Sequence, residues 1–284
     1  MPTLADVTDL IHTWFPPETA EGWDAVGLVA GAPDDTVEKV LFAVDPTPEV
    51  AAEAAAWGAD LLVVHHPLFL KGVHGFAATT PKGRTVTTLT RAGCALLTAH
   101  TNADQAVDGV SAAMADALGL REQRPLSPYA ADPTIGIGRI GTVEPTTLAA
   151  FADRVAQVLP ATAHGVRVAG DPDREIRSVA LCGGAGDFAL DRVATSGVDV
   201  YLTSDLRHHP ASEFLEKDGP ALIDVAHWAA EWLWLPATAA RLEQALAARG
   251  TKVETRVSTL VTDPWTFHVP QTTITTPTQE PDLS

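Results

Sequence analysis

The sequence predicts an α/β protein with buried strands. The first observation is a recurring unit: a helix-like stretch, a glycine that stops it, an apolar run and a polar ending. The second is the character of those apolar runs, which are continuous rather than alternating, as in strands covered on both faces. The third is composition. Apolar residues make up 46% and charged residues 19% of 284 residues, and 21 Gly and 21 Pro mark many short connections. A chain of this length buries a sizeable core, as one large domain or two smaller lobes.

Residues 40–44 read as a strand, followed by Asp45, which reads as a helix cap before Pro46 with a site role left open by its strand-end position. Residues 47–57 are Ala/Glu-rich and helical, Gly58 stops them, and 59–64 form a strand ending in His65-His66-Pro67. Residues 85–92 are helical, Gly93 stops them, and 94–99 form a strand ending in His100-Thr101-Asn102-Ala103-Asp104. A less familiar stretch, roughly 123–173, interrupts these units; within it, 137–143 read as a strand and 146–159 as an amphipathic helix. Residues 176–181 are a strand leading into Cys182-Gly183-Gly184-Ala185-Gly186-Asp187. Residues 190–196 are helical, Gly197 stops them, and 198–203 form a strand ending in Ser204-Asp205 and a second His-His-Pro, residues 208–210. The strand at 221–225 opens a helix through 234, Pro236 allows a bend, 238–249 continue as helix, and 251–257 are a last strand. The repetition points to an internal duplication with low identity between copies. In such sheets functional side chains gather beyond the carboxyl ends of strands, and that is where these His and Asp residues fall.

The net charge of -17 argues against nucleic acid as a partner, because phosphate backbones need clustered Lys and Arg. An acidic substrate remains compatible if a metal supplies local positive charge. The two cysteines, Cys94 and Cys182, sit in apolar runs, so a disulfide framework is not expected and a reducing cytoplasm is the natural setting. The N-terminus lacks a basic-then-apolar leader and no run reaches membrane-spanning length, so the expectation is a soluble, cytoplasmic protein without membrane association.

His65, His66, Asp104, His227 and Glu231 offer the imidazole and carboxylate donors used by Zn, Mn, Fe or Ni. His227 and Glu231, four apart on a helix, share one face. Five such groups exceed the needs of one catalytic ion, and a carboxylate bridges two ions in two-metal hydrolases. The bland alternative is a set of solvated strand-end residues; the shared placement of three separate groups favours metal. The glycine-rich 183–186 stretch fits either backbone approach to a phosphate or a tight turn into a helix, and matches neither common nucleotide fingerprint. His12, His74, His164 and His268 carry no partner pattern and read as surface or loop residues. Trp228, Trp232 and Trp234 read as core packing, with base stacking the minor alternative.

Taken together, Gly22-Trp23-Asp24-Ala25-Val26-Gly27-Leu28, Val63-Val64-His65-His66-Pro67, His100-Thr101-Asn102-Ala103-Asp104, Cys182-Gly183-Gly184-Ala185-Gly186 and His227-x-x-x-Glu231 resemble the GTP cyclohydrolase 1 type 2 homologues, the NIF-three-like family. The motifs follow family order over about residues 22–231. The resemblance implies two related α/β lobes of three-layer sheets, assembled as a homohexamer with two divalent ions per subunit facing an internal cavity. It implies His65, His66, Asp104, His227 and Glu231 as ligands, with Glu231 bridging, and His209 as an outer-shell or proton-transfer group. Ala25 stands where Asn is common, and residues 204–209 replace the more usual Gly-Asp-Val-Lys-Tyr-His; both changes bear on the substrate pocket. The domain expectation is a first lobe at 1–124, a middle segment or short insertion at 125–175, a second part at 176–270 and a disordered tail at 271–284. The activity implied is metal-dependent hydrolysis of a nucleotide or related small molecule: water attacks C8 of guanine, the ring opens and formate leaves, with His100 or His209 moving protons. A phosphoesterase, or a non-enzymatic metal-binding assembly protein, fits the same ligand set.

Overall fold

The structure, a computed structural model, describes residues 1–270; the tail expected to be disordered lies outside the described residues. In chain order the elements are α1 (Leu4–Trp14), β1 (Gly27–Ala30), β2 (Lys39–Ala43), α2 (Pro48–Trp57), β3 (Leu61–Val64), α3 (Pro81–Ala92) and β4 (Ala95–Thr98). There follow α4 (Thr101–Gln105), α5 (Val110–Ala117), β5 (Arg121–Pro128), β6 (Gly136–Thr147), α6 (Leu148–Val158), β7 (Val166–Ala169) and β8 (Glu175–Ala185). The chain continues through α7 (Leu190–Ala194), β9 (Val200–Ser204), α8 (His208–Leu215), β10 (Ala221–Val225), α9 (His227–Trp232), α10 (Trp234–Ala248) and β11 (Glu254–Val257).

The strands form two sheets, ordered β1-β4-β3-β2-β11 and β5-β6-β8-β9-β10-β7. In the first, β11, β2, β3 and β4 run parallel and β1 is antiparallel at the edge. In the second, β8, β9 and β10 run parallel, flanked by antiparallel β6 and β7. β3 and β4 are buried along their whole length, and no charged residue interrupts them. Thr47 caps α2, accepting from the Val50 amide, and Gly58 ends it in the left-handed conformation at φ 72. The same stop recurs at Gly93, φ 69, after α3.

Helices cover both faces of each sheet. α2 and α3 pack Val50, Ala54 and Leu89 onto Leu41, Leu62 and Leu96. α7 and α8 pack Val193 and Phe214 onto Ala180, Tyr201 and Leu222. The remaining faces share one core: Val40, Leu61 and Val63 of the first sheet belong to the same apolar cluster as Val179, Val200 and Ile223 of the second. Trp228, Trp234 and Leu242 of α9 and α10 lie in that cluster. Register sets Ala43, Val64 and Thr98 side by side, and likewise Ser204 and Val225. The polar endings of one sheet therefore line up, and those of the other do the same.

Several expectations differ from what is seen. Residues 125–175 supply β6, β7 and the second half of β5 to the second sheet. Their half-exposed strands lack the apolar runs that mark the others. The second His-His-Pro opens α8 rather than closing β9. The helical break falls at Leu233, and Pro236 sits in the first turn of α10, where its missing amide hydrogen costs no hydrogen bond. No described helix is long and apolar enough to cross a membrane.

Candidate metal centre

The carboxyl ends of β2, β3 and β4 meet the start of α9, and four imidazoles converge there. Each is held by its Nδ1 hydrogen. His65 donates to the Ala99 carbonyl at 2.9 Å, His66 to Asp45 at 2.7 Å, His100 to Asp24 at 2.8 Å and His227 to Asp205 at 2.7 Å. Every one of these partners is an acceptor, so Nδ1 keeps its hydrogen in each ring and Nε2 is the atom left for a metal once any proton there is displaced. The rings crowd together, with centroids 5.1 Å apart for His65–His66, 5.0 Å for His65–His100 and 5.2 Å for His66–His227.

Glu231 lies one turn after His227 on α9 and is 2% exposed. Its Oε1 is 2.8 Å from His227 Nε2 and 3.4 Å from His65 Nε2, while Oε2 is 3.0 Å from His66 Nε2. Asp104, on the short α4, brings Oδ1 to 3.9 Å from His65 Nε2. Two donor groups result, His65 with His66 and His100, and His66 with His227 and Glu231, the ligand atoms of each within 4.8 Å of one another.

Charge is strongly redistributed here. Burial resists charge on Glu231, yet the three imidazoles hold its carboxyl well below the usual range. Burial also opposes charge on His227, but Glu231 and Asp205 push it up to about 10. The same competition leaves His66 well above its ordinary value, and His65 raised. Burial dominates at Asp104 and raises it. Even so, His65 Nε2, Asp104 Oδ1 and Glu231 Oε2 are buried without a well-formed hydrogen bond. Orphaned buried donors and acceptors are costly, and a cation among them satisfies all three. The residues fit a metal ion.

Gly184 completes the cradle. A Cβ there would lie 2.6 Å from Glu231 Oε1 and 3.2 Å from His227 Nε2, and its φ is +70. Gly186 has a packing reason too, since a Cβ would lie 2.1 Å from Thr203 Oγ1. Both glycines belong to the end of β8 and the turn beyond it, pressed against the centre and β9.

Sequence reasoning missed Asp24 and Asp205 as supporting carboxylates and left Asp45 open between a helix cap and a site role. Asp24 accepts from His100, and from the Thr101 amide and hydroxyl at 3.0 and 2.5 Å. Asp45 caps no helix: its oxygens serve His66 and the Thr262 hydroxyl. Asp205, at φ 57, uses the left-handed conformation that Asp tolerates to aim at His227. Their one shared signal is an acidic residue close to a strand end or to the signature glycine. His208 and His209 sit exposed on the first turn of α8, ring against ring at 5.1 Å, in neither donor group. His164 is not partnerless: its Nε2 lies 2.9 Å from Asp224, which Arg167 also grips. Trp234 is core, 1% exposed, and stacks edge-on against His65 and Phe15.

Known proteins resemble this chain along nearly its whole length. A "GTP cyclohydrolase 1 type 2 homolog" of Streptomyces coelicolor is 51% identical over 272 residues, covering 95% of both chains. The protein of that name from Mycobacterium tuberculosis is 36% identical, covering 92% of this chain and 96% of its own. That alignment runs over 369 positions, so the mycobacterial protein carries additional sequence. Among solved structures, a hypothetical protein of Staphylococcus aureus superposes with a TM-score of 0.86 at 27% identity, covering 94% and 100% of the two chains. A NIF3-related protein of Bacillus cereus shares the fold at a TM-score of 0.87 and 24% identity, covering 94% and 99%. The order of His65-His66, Asp104 and His227-x-x-x-Glu231 around one centre thus sits inside a sequence match spanning residues 2–264, and the chain belongs to the Duf34/NIF3 (NGG1p interacting factor 3) family.

Proposed function

We propose that this protein is a dinuclear metal-dependent hydrolase acting on a nucleotide. The observation that supports this most is the position of Glu231, whose two oxygens face different imidazoles, His227 and His65 on one and His66 on the other. His65, His66, Asp104, His227 and Glu231 would together hold two divalent ions; Zn, Mn, Fe or Ni suit such donors. Ions bound there supply Lewis acidity and bring the pKa of water toward neutrality.

The chain's own groups do the rest. The Nδ1 anchors keep every Nε2 aimed inward without reorganisation. His100, fixed by Asp24, offers its Nε2 as the proton acceptor and donor beside His65 and His66. Trp23 packs edge-on against that ring at 5.9 Å and limits its movement. The relatives' name supplies the substrate we favour, GTP, with one water adding at C8 and opening the imidazole ring of guanine to a formamide, and a second water cleaving that amide to free the amine and formate. Assembly as a homohexamer and a cytoplasmic setting belong to the same reading; two free, buried cysteines suit a reducing compartment.

The test is incubation of metal-replete protein with GTP. Formate and a pterin precursor are expected. Release of phosphate from a nucleotide instead would make it a phosphoesterase, and bound metal without turnover would make it a metal-binding assembly protein. Light scattering gives the oligomer mass.

A further inference from the structure

The chain after β11 crosses back to the mouth of the metal centre and is pinned on the way. Ser258 Oγ donates to Glu53 at 2.6 Å, and Trp232 Nε1 donates to the Ser258 carbonyl at 2.9 Å. Thr262 donates its hydroxyl to Asp45, the carboxylate that orients His66. This anchored strap ends in two rings left largely in solvent, Trp265 at 66% and Phe267 at 76% exposure. Clustered exposed aromatics beside a functional site call for a ligand rather than a packing explanation.

Two adjoining cavities meet under Trp265. The inner one, about 290 Å³, opens on Asp45, His66 and His227. The outer one, about 490 Å³, runs past Arg167, Phe267 and His268. His164, Asp205 and Trp265 line both, so the pair forms one path from the imidazoles to the surface. Its size falls in the range of small-molecule sites. The far end holds Arg167, one of 19 basic residues in a chain with 36 acidic ones. Arg167 is 59% exposed and commits Nε and Nη2 to Asp224, which leaves part of a fork suited to phosphate facing the outer cavity.

We propose that this double cavity is the substrate cleft and takes a planar heteroaromatic ring bearing a phosphate: the ring lies on Trp265, the phosphate meets Arg167 and His268, and the reacting edge faces the metal ligands. The proposal rests on the hydrolase reading above for the role of the inner end and for the kind of substrate, and it adds where the ring and the phosphate sit and the residues that hold them. A ring face stacked on an indole binds independently of the exact base, while the guanidinium reads the charge. Trp265 stands on the strap that also buttresses His66 through Asp45, so occupancy of the cleft and alignment of a ligand imidazole share one element.

The test titrates the full-length protein with GMP, guanosine and inorganic phosphate, with and without added Zn, while metal content is measured on the same samples. Wild type is expected to bind GMP more tightly than either fragment. Trp265→Ala should weaken GMP and guanosine by about tenfold or more, and Trp265→Phe should recover most of the loss. Arg167→Gln should weaken GMP and leave guanosine unchanged. No GMP binding in either metal state overturns the proposal. So does Trp265→Ala binding like wild type, or Trp265→Ala altering only the oligomer mass. Failure of the hydrolase reading shows separately, as protein without metal or without turnover.

Discussion

His66 and Thr262, nearly two hundred residues apart in sequence, are joined by a single carboxylate: Asp45 accepts His66 Nδ1–H on one oxygen at 2.7 Å and the Thr262 hydroxyl on the other. The proposed ligand His66 is therefore oriented by a group that is itself oriented. Outer partners of metal-bound imidazoles set both tautomer and ring angle.

Asp45→Ala should weaken metal binding by about 10- to 100-fold, the usual effect of removing such a partner. Thr262→Val should weaken it less, because His66 keeps its acceptor. Metal content after dialysis against graded chelator separates the two; equal retention by Asp45→Ala and wild type would remove Asp45 from the centre.

Metal uptake should release protons and strengthen as pH rises. Burial opposes charge on His227, yet Glu231 and Asp205 raise it to about 10. For a group raised in this way, the stabilisation of the metal-free fold is complete below its ordinary value of about 6.5 and is lost as pH climbs through the raised one. An ion needs the same Nε2 and must displace the proton, so affinity gains about tenfold per pH unit for each proton displaced. Calorimetry in buffers of different ionisation enthalpy counts those protons, and a pH-independent affinity between 6.5 and 8.5 would contradict the expectation.

Gly184→Ala should lose both stability and metal. The left-handed backbone at φ +70 costs a non-glycine residue about 1–2 kcal/mol. The added Cβ would lie 2.6 Å from Glu231 Oε1, so the carboxylate has to move. Chemical denaturation and metal analysis should fall together; an alanine variant with normal metal would mean that the glycine serves the backbone alone.

Acid should unfold the protein partly through Asp24. Burial raises its pKa, but hydrogen bonds from His100 and Thr101 overcome this and hold it well below the usual range. A depressed carboxyl contributes stability above its unfolded value, about 3.9, that is lost as pH falls toward the folded one. Asp24→Asn should be less stable than wild type at pH 7, and the gap should close below about pH 4. A gap that persists unchanged at pH 3 would assign the loss to geometry rather than charge.

Much of this architecture is readable from the chain because parallel strands buried on both faces announce themselves as apolar runs. β3 reads Leu-Leu-Val-Val and β9 is buried at every position. β1, β5 and β7 escaped notice because they are edge strands with half their residues in water and no clean alternation. The proposed ligands stand out because they cluster at strand ends and on one helical face. Their supports do not: Asp24 lies 76 residues from His100, and Asp205 lies 22 from His227 across a strand and a helix. Those pairings exist only once the sheets are assembled, and no spacing rule encodes them.

Arg139 gives the clearest case of a buried residue that sequence pattern passes over. It is 3% exposed, within β6, and donates to four backbone carbonyls and no carboxylate: Gly136 at 2.7 Å, Gly138 at 2.8 Å, Val107 at 3.0 Å and Ala106. The last two lie just beyond Asp104, so the guanidinium ties the segment carrying that proposed ligand to the second sheet. Removing it strands several buried acceptors at once, and each loss costs about 1–3 kcal/mol. Arg139→Ala should therefore destabilise the fold by at least about 3 kcal/mol. Arg139→Lys restores charge but not the planar fork and should recover less than half of that. If Arg139 acts on the centre through this segment, the Lys variant should also bind metal more weakly than wild type under conditions where both are fully folded. Equal metal affinity in the folded Lys variant would confine Arg139 to holding the two sheets together.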